Sequence, residues 1–485
     1  MKNLKKKIAL LAALACAGTM LAGCTTSNNN GNDTPPANNN NAGSNDSGNA
    51  GGGSNDSGNA DSGAAATGMT YDQAKTAGTG NVDTSGEGKV LNIYCWNDEF
   101  KGFFDAYYKV PDGITVNWIS TPSEGGAYQT ALDQALMNNA SASADDKVDM
   151  FLAEADYIIK YANADVTMDV TKIGVQNWGV GYDYTYNAAT SVDGVLKGVS
   201  FQGCPSVFIY RRSIAKDVLG TDDPAEVQAA LSTWDKVDEV AAKAKEKGYV
   251  MFSSPIETYR SFANNSTQSY LNGDKFALTP AFNEWLTQQE KYVENGWSET
   301  YGLWADEKSA QMGTNGKMFA CIGPAWYYSF CMGTALEQTN GDWAICVGPA
   351  EHFWGGTWML AATGTDNEKV VADIMNAFTV NEDIMENLLV KDLQFPNNKN
   401  VVNKFANDSS YGNEFLGGQN DIAIMAKVAE GIKWEPALHT QYDQTFNENL
   451  PNSYLEYLQG VVSKDQALSN FYITLGEVAP QITHD

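Results

Sequence analysis

The chain has 485 residues, of which 43% are hydrophobic and 11% aromatic, enough for large cores in one bilobal domain or two domains. Its 59 acidic residues outnumber its 31 basic residues, and the formal net charge is −28. A field of that sign repels phosphate, so the composition excludes nucleic acid as a partner and leaves neutral or cationic ligands.

The first 23 residues have the pattern of a bacterial lipoprotein signal peptide. Four lysines precede an apolar run from Ile8 to Met20, and a Leu-Ala-Gly tripeptide then leads directly to Cys24. The run is too short to cross a hydrocarbon core of about 30 Å. A plain secretory signal needs no cysteine here, whereas a lipoprotein signal needs the thiol to receive a diacylglyceryl group. The pattern therefore predicts cleavage before Cys24 and lipidation of Cys24.

Residues 24–88 are predicted to form a lipid-anchored, disordered linker. They are mostly Asn, Gly, Ser, Asp, Thr and Ala, with almost no large apolar side chains to offset the loss of chain entropy. The octet at 43–50 recurs at 53–60, which is typical of linker growth. A flexible chain of this length spans about 40 to 48 Å. We therefore expect the working part to stand off the cell membrane, on the extracellular side of a Gram-positive-type surface.

From residue 89 to residue 485, β-prone and helix-compatible segments alternate. The first five are a strand at 90–96, a helix at 100–109, a strand at 114–119, a helix at 128–137 and a strand at 148–152. This βαβ rhythm is typical of a parallel sheet with helices on both faces.

The rhythm resumes after an extended stretch at 199–210. One helix begins at Trp234 and ends at Gly248, and another begins at Pro280 and ends at Gly296. Further strands are predicted at 318–322, 343–347 and 357–361, and the last 120 residues are mainly helical. This order predicts an α/β protein of two lobes, with the chain crossing between them near 200–205 and 345–360.

Five cysteines lie beyond the anchor: Cys95, Cys204, Cys321, Cys331 and Cys346. An odd number without CxxC spacing argues against a disulfide framework or a zinc site, so we expect neither a cofactor nor a metal. One pair among the last three could still oxidise outside a cell, and the spacing does not decide it.

Several short motifs follow one another in an order that resembles a known family. They are YCWNDEF at 94–100, DMFLAEADY at 149–157, YRRSIA at 210–215 ahead of LGTDDP at 219–224, GPAW at 323–326 and WGGTW at 354–358. Behind a lipoprotein signal, this series resembles the family 1 extracellular solute-binding proteins of ABC importers, especially the sugar-binding lipoproteins of Gram-positive bacteria. The resemblance implies a two-lobed, type II periplasmic-binding-protein-like fold that closes about a hinge over its ligand. It also implies a monomer that captures a mono- or oligosaccharide and delivers it to permease subunits and an ATPase encoded elsewhere.

A sugar site needs flat rings for apolar C–H faces and acceptors for hydroxyl groups. In open α/β sheets, ligands gather at the carboxyl ends of the strands. The candidates that combine residue type with position beside a turn or strand end are Trp96, Asp98, Glu99, Glu154, Trp304, Asp306, Trp326, Trp354, Gly356 and Trp358.

The candidates have structural alternatives that the pattern leaves open. Trp96 would otherwise pack in a lobe core, with Asp98 and Glu99 capping the next helix, and Glu154 would cap a helix or form a salt bridge. The paired glycines of the WGGTW motif favour close approach of backbone to a ligand, but a bulge in a hinge strand has the same pattern. Four other tryptophans are predicted to be core residues: Trp234, Trp285, Trp297 and Trp343.

Two other functions remain open from the sequence. A surface-anchored glycoside hydrolase needs a carboxylate pair, which 59 acidic residues cannot exclude. However, HExxH, GxSxG and P-loop motifs are absent, and the strand order does not repeat eight times as in a barrel, so we expect no enzyme. A polyamine-type cation receptor would suit the acidity and the tryptophans that neighbour carboxylates.

Overall fold

The computed structural model describes residues 69–484 and contains two main β-sheets covered by helices. The predicted signal peptide at 1–23, the lipidation site Cys24 and the linker up to residue 68 lie outside the described residues. None of the helices in the described range has the length and apolar content that a membrane span requires.

The strands alternate with helices along most of the chain. In chain order they are β1 (Val90–Cys95), β2 (Thr115–Ser120), β3 (Met150–Glu154), β4 (Gly198–Ser200), β5 (Pro205–Arg211), β6 (Leu271–Asn272), β7 (Lys275–Phe276), β8 (Ala320–Gly323), β9 (Trp343–Cys346), β10 (His352–Phe353) and β11 (Thr357–Ala361).

The helices follow the same convention. They are α1 (Tyr71–Ala74), α2 (Glu99–Tyr107), α3 (Ala127–Asn138), α4 (Ile158–Ala162), α5 (Asp183–Ala188), α6 (Arg212–Leu219), α7 (Pro224–Ala230), α8 (Trp234–Glu246), α9 (Ile256–Ala263), α10 (Pro280–Glu294), α11 (Asp306–Met312), α12 (Gly333–Gln338), α13 (Glu368–Ala377), α14 (Glu382–Asp392), α15 (Lys399–Ala406), α16 (Asp421–Gly431), α17 (Leu450–Leu458) and α18 (Lys464–Val478). Two π-helical turns, Tyr328–Met332 and Thr445–Asn449, precede α12 and α17.

The first sheet has the strand order β2-β1-β3-β11-β4. Strands β2, β1 and β3 run parallel, whereas β11 is antiparallel to both of its neighbours, β3 and β4. Residues 150–153 of β3 are all buried, as expected for an apolar strand in the middle of a sheet with both faces covered. The βαβ rhythm predicted for this half is confirmed.

In the second sheet, β5 lies between β8 on one side and β9 and β10 on the other. All three neighbours are antiparallel to β5, so the parallel rhythm predicted for this half is wrong at its central strand. The reason is that β5 comes directly from β4 of the first sheet. The short crossing from the first sheet sets the direction in which β5 enters the second, and this direction is opposite to that of β8 and β9.

Local sequence signals set the helix boundaries. Thr233 caps α8 by accepting a hydrogen bond from the Lys236 amide at 3.3 Å, and Thr279 caps α10 in the same way ahead of Pro280. Both predicted helices are confirmed, as is the helical character of the last 120 residues.

The folded part begins before residue 89. Thr70 and Gln73 form a capping box around α1, and the small side chains of Ala74 and Ala77 are buried. The Gly78 amide donates to Asp373 Oδ2 of α13 at 3.0 Å. This stretch therefore packs against the first lobe, and the prediction of a linker that continues to residue 88 is wrong at its carboxyl end.

Two chain crossings connect the sheets and frame the candidate site. The first leads from Ser200 of β4 to Pro205 of β5, and the second leads from Phe353 of β10 to Thr357 of β11. One large cluster of buried side chains includes residues from both sheets, and α9, α10, α17 and α18 share a separate one.

Candidate functional site

The carboxyl end of β3 meets the second crossing. Glu154 is the last residue of β3 and pairs with Thr357 of β11, so the two preceding glycines lie beside it. A Cβ atom at Gly355 would lie 3.5 Å from Glu154 Oε1 and 3.0 Å from Trp326 Nε1. The main chain thus approaches both side chains closely, and Glu154, Trp326 and Gly355 form the centre of the candidate site.

The two crossings touch at positions with unusual backbone conformation. Gly355 and Gly356 have φ angles of 73° and 116°, which other residues rarely adopt. Cys204 of the first crossing has a φ of 52° despite its side chain, and a Cβ atom at Gly356 would lie 3.6 Å from its Sγ. The paired glycines are therefore required by the backbone at the point where the crossings meet.

An aromatic group lies over these crossings. Trp326 follows β8, is half-buried, and donates its indole N–H to the Trp354 carbonyl at 3.0 Å. Its ring meets Trp354 edge to face at a centroid separation of 5.1 Å and Phe330 at 6.3 Å. Trp354 is 8% exposed. Trp326 therefore keeps accessible ring surface, whereas Trp354 mainly holds it in place.

The carboxyl end of β1 contributes a ring and two acidic groups. Trp96 is half-buried, with its ring against Tyr128 at 5.8 Å and Tyr157 at 6.1 Å. Asp98 precedes α2 and is exposed, and its side chain makes no capping hydrogen bond. Other rings therefore pack against the Trp96 ring while part of its surface remains exposed to solvent. The Asp98 carboxylate does not bind the backbone of α2 and is available to a ligand.

Glu99 lies between the first sheet and the first crossing. Its carboxylate accepts long hydrogen bonds from Gln202 Nε2 at 3.3 Å and Gln394 Nε2 at 3.5 Å. Burial raises the pKa of Glu99 to about 7, although the hydrogen bond from Gln202 opposes the shift. This carboxyl group therefore exchanges its proton near neutral pH.

A buried ion pair joins the end of β3 to the second lobe. Both guanidinium Nη atoms of Arg260 on α9 bind the Asp156 carboxylate at 2.5 Å, and the two residues are 8% and 4% exposed. Asn447 Nδ2 also donates to Asp156 Oδ1 at 3.0 Å. Burial raises the pKa of Glu154 well above its ordinary value and that of Glu448 to about 7, and nearby Asp156 raises both further while Arg260 lowers both. The carboxyl groups of Asp156 and Glu448 therefore lie near Glu154, and the cation beside them, Arg260, is already paired with Asp156.

The structure does not bring every predicted residue to this place. Trp358 is 1% exposed, and its indole N–H donates to the Thr185 carbonyl at 2.8 Å inside the core. Because its whole ring is enclosed, we no longer include Trp358 in the candidate site. Trp304 is 64% exposed in the loop before α11, and Asp306 is the exposed first residue of that helix. Neither has a ring contact or hydrogen bond with the other candidates within residues 69–484.

Sequence reasoning missed Arg260, Glu448, Gln202 and Cys204. Asp156 was also not among the predicted site residues, although it lies in the DMFLAEADY motif and its position soon after a strand was a usable signal. Arg260 and Glu448 lie in helical segments that carry no motif. Arg260 binds Asp156, and Glu448 lies within its electrostatic influence, only because distant parts of the chain fold together.

The five cysteines of the described range are free and buried. Burial raises the pKa of Cys95 to about 11 and those of Cys331 and Cys346 to about 12. The thiols are therefore protonated at neutral pH and shielded from solvent in this conformation. Within residues 69–484, no group of three or more His, Cys, Asp or Glu side chains is arranged to hold a metal ion.

Comparison of the sequence with family models gives one match. The model described as bacterial extracellular solute-binding protein matches residues 103–412, more than half of the chain. No protein with a curated description matches the sequence.

Comparison with solved structures gives many matches over most of the fold. An extracellular solute-binding protein of family 1 is 20% identical, with a TM-score of 0.64, and the match covers 79% of this chain and 98% of that chain. The galacto-N-biose-/lacto-N-biose I-binding protein of the ABC transporter from Bifidobacterium longum is 13% identical, with a TM-score of 0.61 and coverage of 83% and 100%. The sugar-binding protein MalE from Xanthomonas citri is also 13% identical, with a TM-score of 0.58 and coverage of 80% and 97%. The predicted α/β, two-lobed periplasmic-binding-protein-like fold is confirmed.

Proposed function

Since this chain belongs to the bacterial extracellular solute-binding proteins, we propose that it is the lipid-anchored substrate-binding protein of an ABC importer. It captures a mono- or oligosaccharide between its lobes and delivers it to a membrane permease. The observation that carries the proposal is the meeting of the Trp326 ring, the Glu154 carboxyl and the Gly355 backbone at the chain crossings.

The chemistry of this place suits a sugar. The half-buried Trp326 ring offers an apolar face to C–H groups, and Glu154 Oε1 receives no hydrogen bond from the described residues and so is free to accept one from a hydroxyl group. Trp96 and Asp98 follow β1 of the same sheet that carries Glu154 and supply a second ring and a second acceptor there, whereas Trp326 follows β8 of the second sheet. A ligand held by groups from both lobes favours their closure.

The names of similar structures support a carbohydrate ligand. One was solved with lacto-N-biose, and the ABC transporter associated binding protein from B. animalis subsp. lactis, 16% identical with a TM-score of 0.58, was solved with beta-1,6-galactobiose. At such identities the residues that bind the sugar need not correspond, and we propose only the ligand class by this route.

The sequence supports the location and the partners. The Leu-Ala-Gly-Cys signal and the polar linker would attach the mature protein through Cys24 to the outer face of the cell membrane. Two permease subunits and an ATPase would then complete the importer. Mass spectrometry of the mature protein tests the anchor, because a chain that begins at Cys24 without an acyl group contradicts it.

A panel of glycans tests the proposed ligand class. Binding to the native state raises the apparent melting temperature by mass action, so at least one saccharide should produce a concentration-dependent increase. Small-angle scattering should then show a more compact particle with that saccharide. Chromatography of the sugar after incubation tests the non-enzymatic assignment, and release of hydrolysis products would overturn it.

A further inference from the structure

The Asp156–Arg260 ion pair fixes the charge balance of the candidate site. Asp156 follows β3 of the first sheet, and Arg260 lies on α9, which packs against β8 and β10 of the second. Because the two guanidinium Nη atoms each bind one carboxylate oxygen at 2.5 Å, Asp156 neutralises Arg260 in a bidentate pair. The remaining acidic groups nearby therefore have no cation of their own.

Glu154 and Glu448 are these remaining acidic groups. Glu154 Oε2 accepts the Asp156 amide at 2.7 Å, and Glu448 follows Asn447, whose Nδ2 donates to Asp156 Oδ1 at 3.0 Å. None of the ion pairs within residues 69–484 includes Glu154 or Glu448. Glu448 is exposed to solvent, and its carboxyl interacts electrostatically with Asp156, Arg260 and Glu154.

A neutral acceptor beside them is also unused. Gln129 of α3 is 7% exposed, and its Nε2 donates to Gln444 Oε1 at 2.6 Å. Gln444 Nε2 in turn lies 3.4 Å from Glu448 Oε2. Gln129 Oε1 is buried and receives no hydrogen bond from any described residue. A buried acceptor without a donor is costly, so a bound group that donates there would be favoured.

The unused acceptors of this cluster need a hydrogen-bond donor, which a bound ligand would supply. Arg260, Asn447 and Gln444 each already donate to an acidic side chain of the cluster. The buried Tyr157 hydroxyl, which faces Glu154, has no partner among the described residues. Free acceptors remain at Glu154 Oε1 and Gln129 Oε1. A hydroxyl group both donates and accepts, whereas an ammonium group has three donors, no acceptor and the charge that the carboxylates lack. Hydrogen bonds between an ammonium group and carboxylates are also about twice as strong as neutral ones.

We propose that the saccharide taken by this cleft carries a primary ammonium group, as an amino sugar does, and that Glu154 and Glu448 bind it with Gln129 as the neutral acceptor beside them. The proposal rests on the function proposed above and narrows its ligand class. In this arrangement the Trp326 ring contacts the sugar ring, and the two carboxyl groups select the amine.

The binding step includes proton release. Desolvation by the surrounding protein atoms, with the nearby Asp156 carboxylate, raises the pKa of Glu448 to about 7 although its side chain reaches solvent, and burial raises that of Glu154 well above its ordinary value. The charged or titratable groups that face these carboxyls are Asp156, Arg260, Tyr157 and Cys204. The free protein therefore holds protons on them near neutral pH. An ammonium group favours their ionised form, so the protons leave to the buffer when the amino sugar binds.

Matched sugars test the proposal by isothermal titration calorimetry on the mature protein. The probes are glucosamine and galactosamine, each with its neutral parent and its N-acetyl derivative, and the disaccharides of glucose, glucosamine and N-acetylglucosamine. We expect at least one amino sugar to bind about tenfold or more tightly than both of its matched partners. Its apparent enthalpy should differ between buffers of different ionisation enthalpy, as proton release requires.

Substitutions test the assigned residues. Glu448→Gln and Glu154→Gln should each reduce the preference for the amine to about twofold or less while the melting temperature stays near that of the wild type. Glu456→Gln replaces an exposed carboxyl of α17 outside the cluster and should keep the full preference.

The outcomes separate the two proposals. If neutral sugars bind as tightly as their amino counterparts, or if Glu448→Gln and Glu154→Gln both keep the preference, the amino-sugar inference is overturned and the sugar-binding function stands. If none of the saccharides binds, both proposals fail. Binding of spermidine alone would also overturn both and favour a cation receptor.

Discussion

The indole N–H of Trp326 donates to the carbonyl of Trp354 at 3.0 Å, and the two rings meet edge to face with centroids 5.1 Å apart. This contact ties the segment after β8 to the second chain crossing. The Trp354 residue thereby holds the Trp326 ring in a defined orientation before any ligand binds. A preorganised ring loses little conformational entropy on binding.

Trp326→Ala should weaken binding of the identified saccharide by about 1 to 3 kcal/mol, because a fixed aromatic platform is lost. Trp326→Phe keeps a ring but not the N–H donor, so its loss should be intermediate. Titration calorimetry measures both. Trp304→Ala is the informative comparison, since that ring is 64% exposed and separate from the site. Equal losses for Trp326→Ala and Trp304→Ala would contradict the placement of the site.

Gly355→Ala should reduce both stability and affinity. Its φ of 73° costs an alanine about 1 to 2 kcal/mol, and the new Cβ would lie 3.0 Å from Trp326 Nε1. Gly364→Ala is a matched control, because Gly364 has a φ of 87° and no atom within 4 Å of the new Cβ. Denaturant unfolding and calorimetry should therefore show the larger stability loss, and the only affinity loss, at Gly355. The same effect at both positions would rule out a steric role for Trp326.

Lys308→Met should destabilise the second lobe by about 3 to 5 kcal/mol, because it leaves Glu257 charged and unpaired in the core. Lys308 and Glu257 are 1% and 0% exposed, their Nζ and Oε1 atoms are 3.0 Å apart, and both contact the Tyr327 hydroxyl. The double variant Lys308→Met/Glu257→Met should recover much of the loss, since no buried charge remains.

Lys101→Met provides the control for that experiment. The Lys101–Asp105 pair is solvent-exposed on α2, and its removal should change the free energy of unfolding by less than about 1 kcal/mol. Urea denaturation of the wild type and of these three variants gives the four free energies of unfolding. A loss at Lys308 no larger than that at Lys101 would show that the buried pair is not ionised.

His352 should make the protein less stable in acid. It is 2% exposed, burial lowers its pKa from 6.5 to about 4, and its Nδ1 lies 3.1 Å from the Ala350 carbonyl. Because the folded-state pKa is below the unfolded one, the neutral ring contributes stability that is fully present above pH 6.5 and is lost as the pH falls toward 4. A difference of this size corresponds to about 3 kcal/mol.

The free energy of unfolding at pH 7 and at pH 4.5 measures this contribution. The advantage of the wild type over His352→Gln should shrink toward the lower pH. A constant difference for His352→Gln would mean that the ring is charged in the folded protein.

The sequence was informative where local pattern decides structure. The apolar runs of β1 and β3, the capping threonine of α8 and Pro280 of α10 predicted those elements, and the paired glycines of the WGGTW motif predicted an unusual backbone at 355 and 356. Strand direction in the second sheet was not accessible, because it depends on which sheet β5 comes from and not on its side chains.

The candidate site was predicted only in part for the same reason. Both faces of β11 are buried, so residue type could not tell whether the ring of Trp358 points into the core. Arg260 pairs with Asp156 across 104 positions of sequence, a contact that no local spacing encodes. Glu99 and Glu154, by contrast, were proposed as candidates from their position at strand ends, and the structure places both beside the chain crossings.

Cys204 gives the crossings a built-in reporter. Its thiol is 4% exposed, beside Gly356 and facing Glu99 and Glu154. Thiol reagents in the surrounding water can reach it only when the lobes move apart at that point. The alkylation rate at this position therefore follows the fraction of molecules that are open, and it does so in the natural protein without an added label.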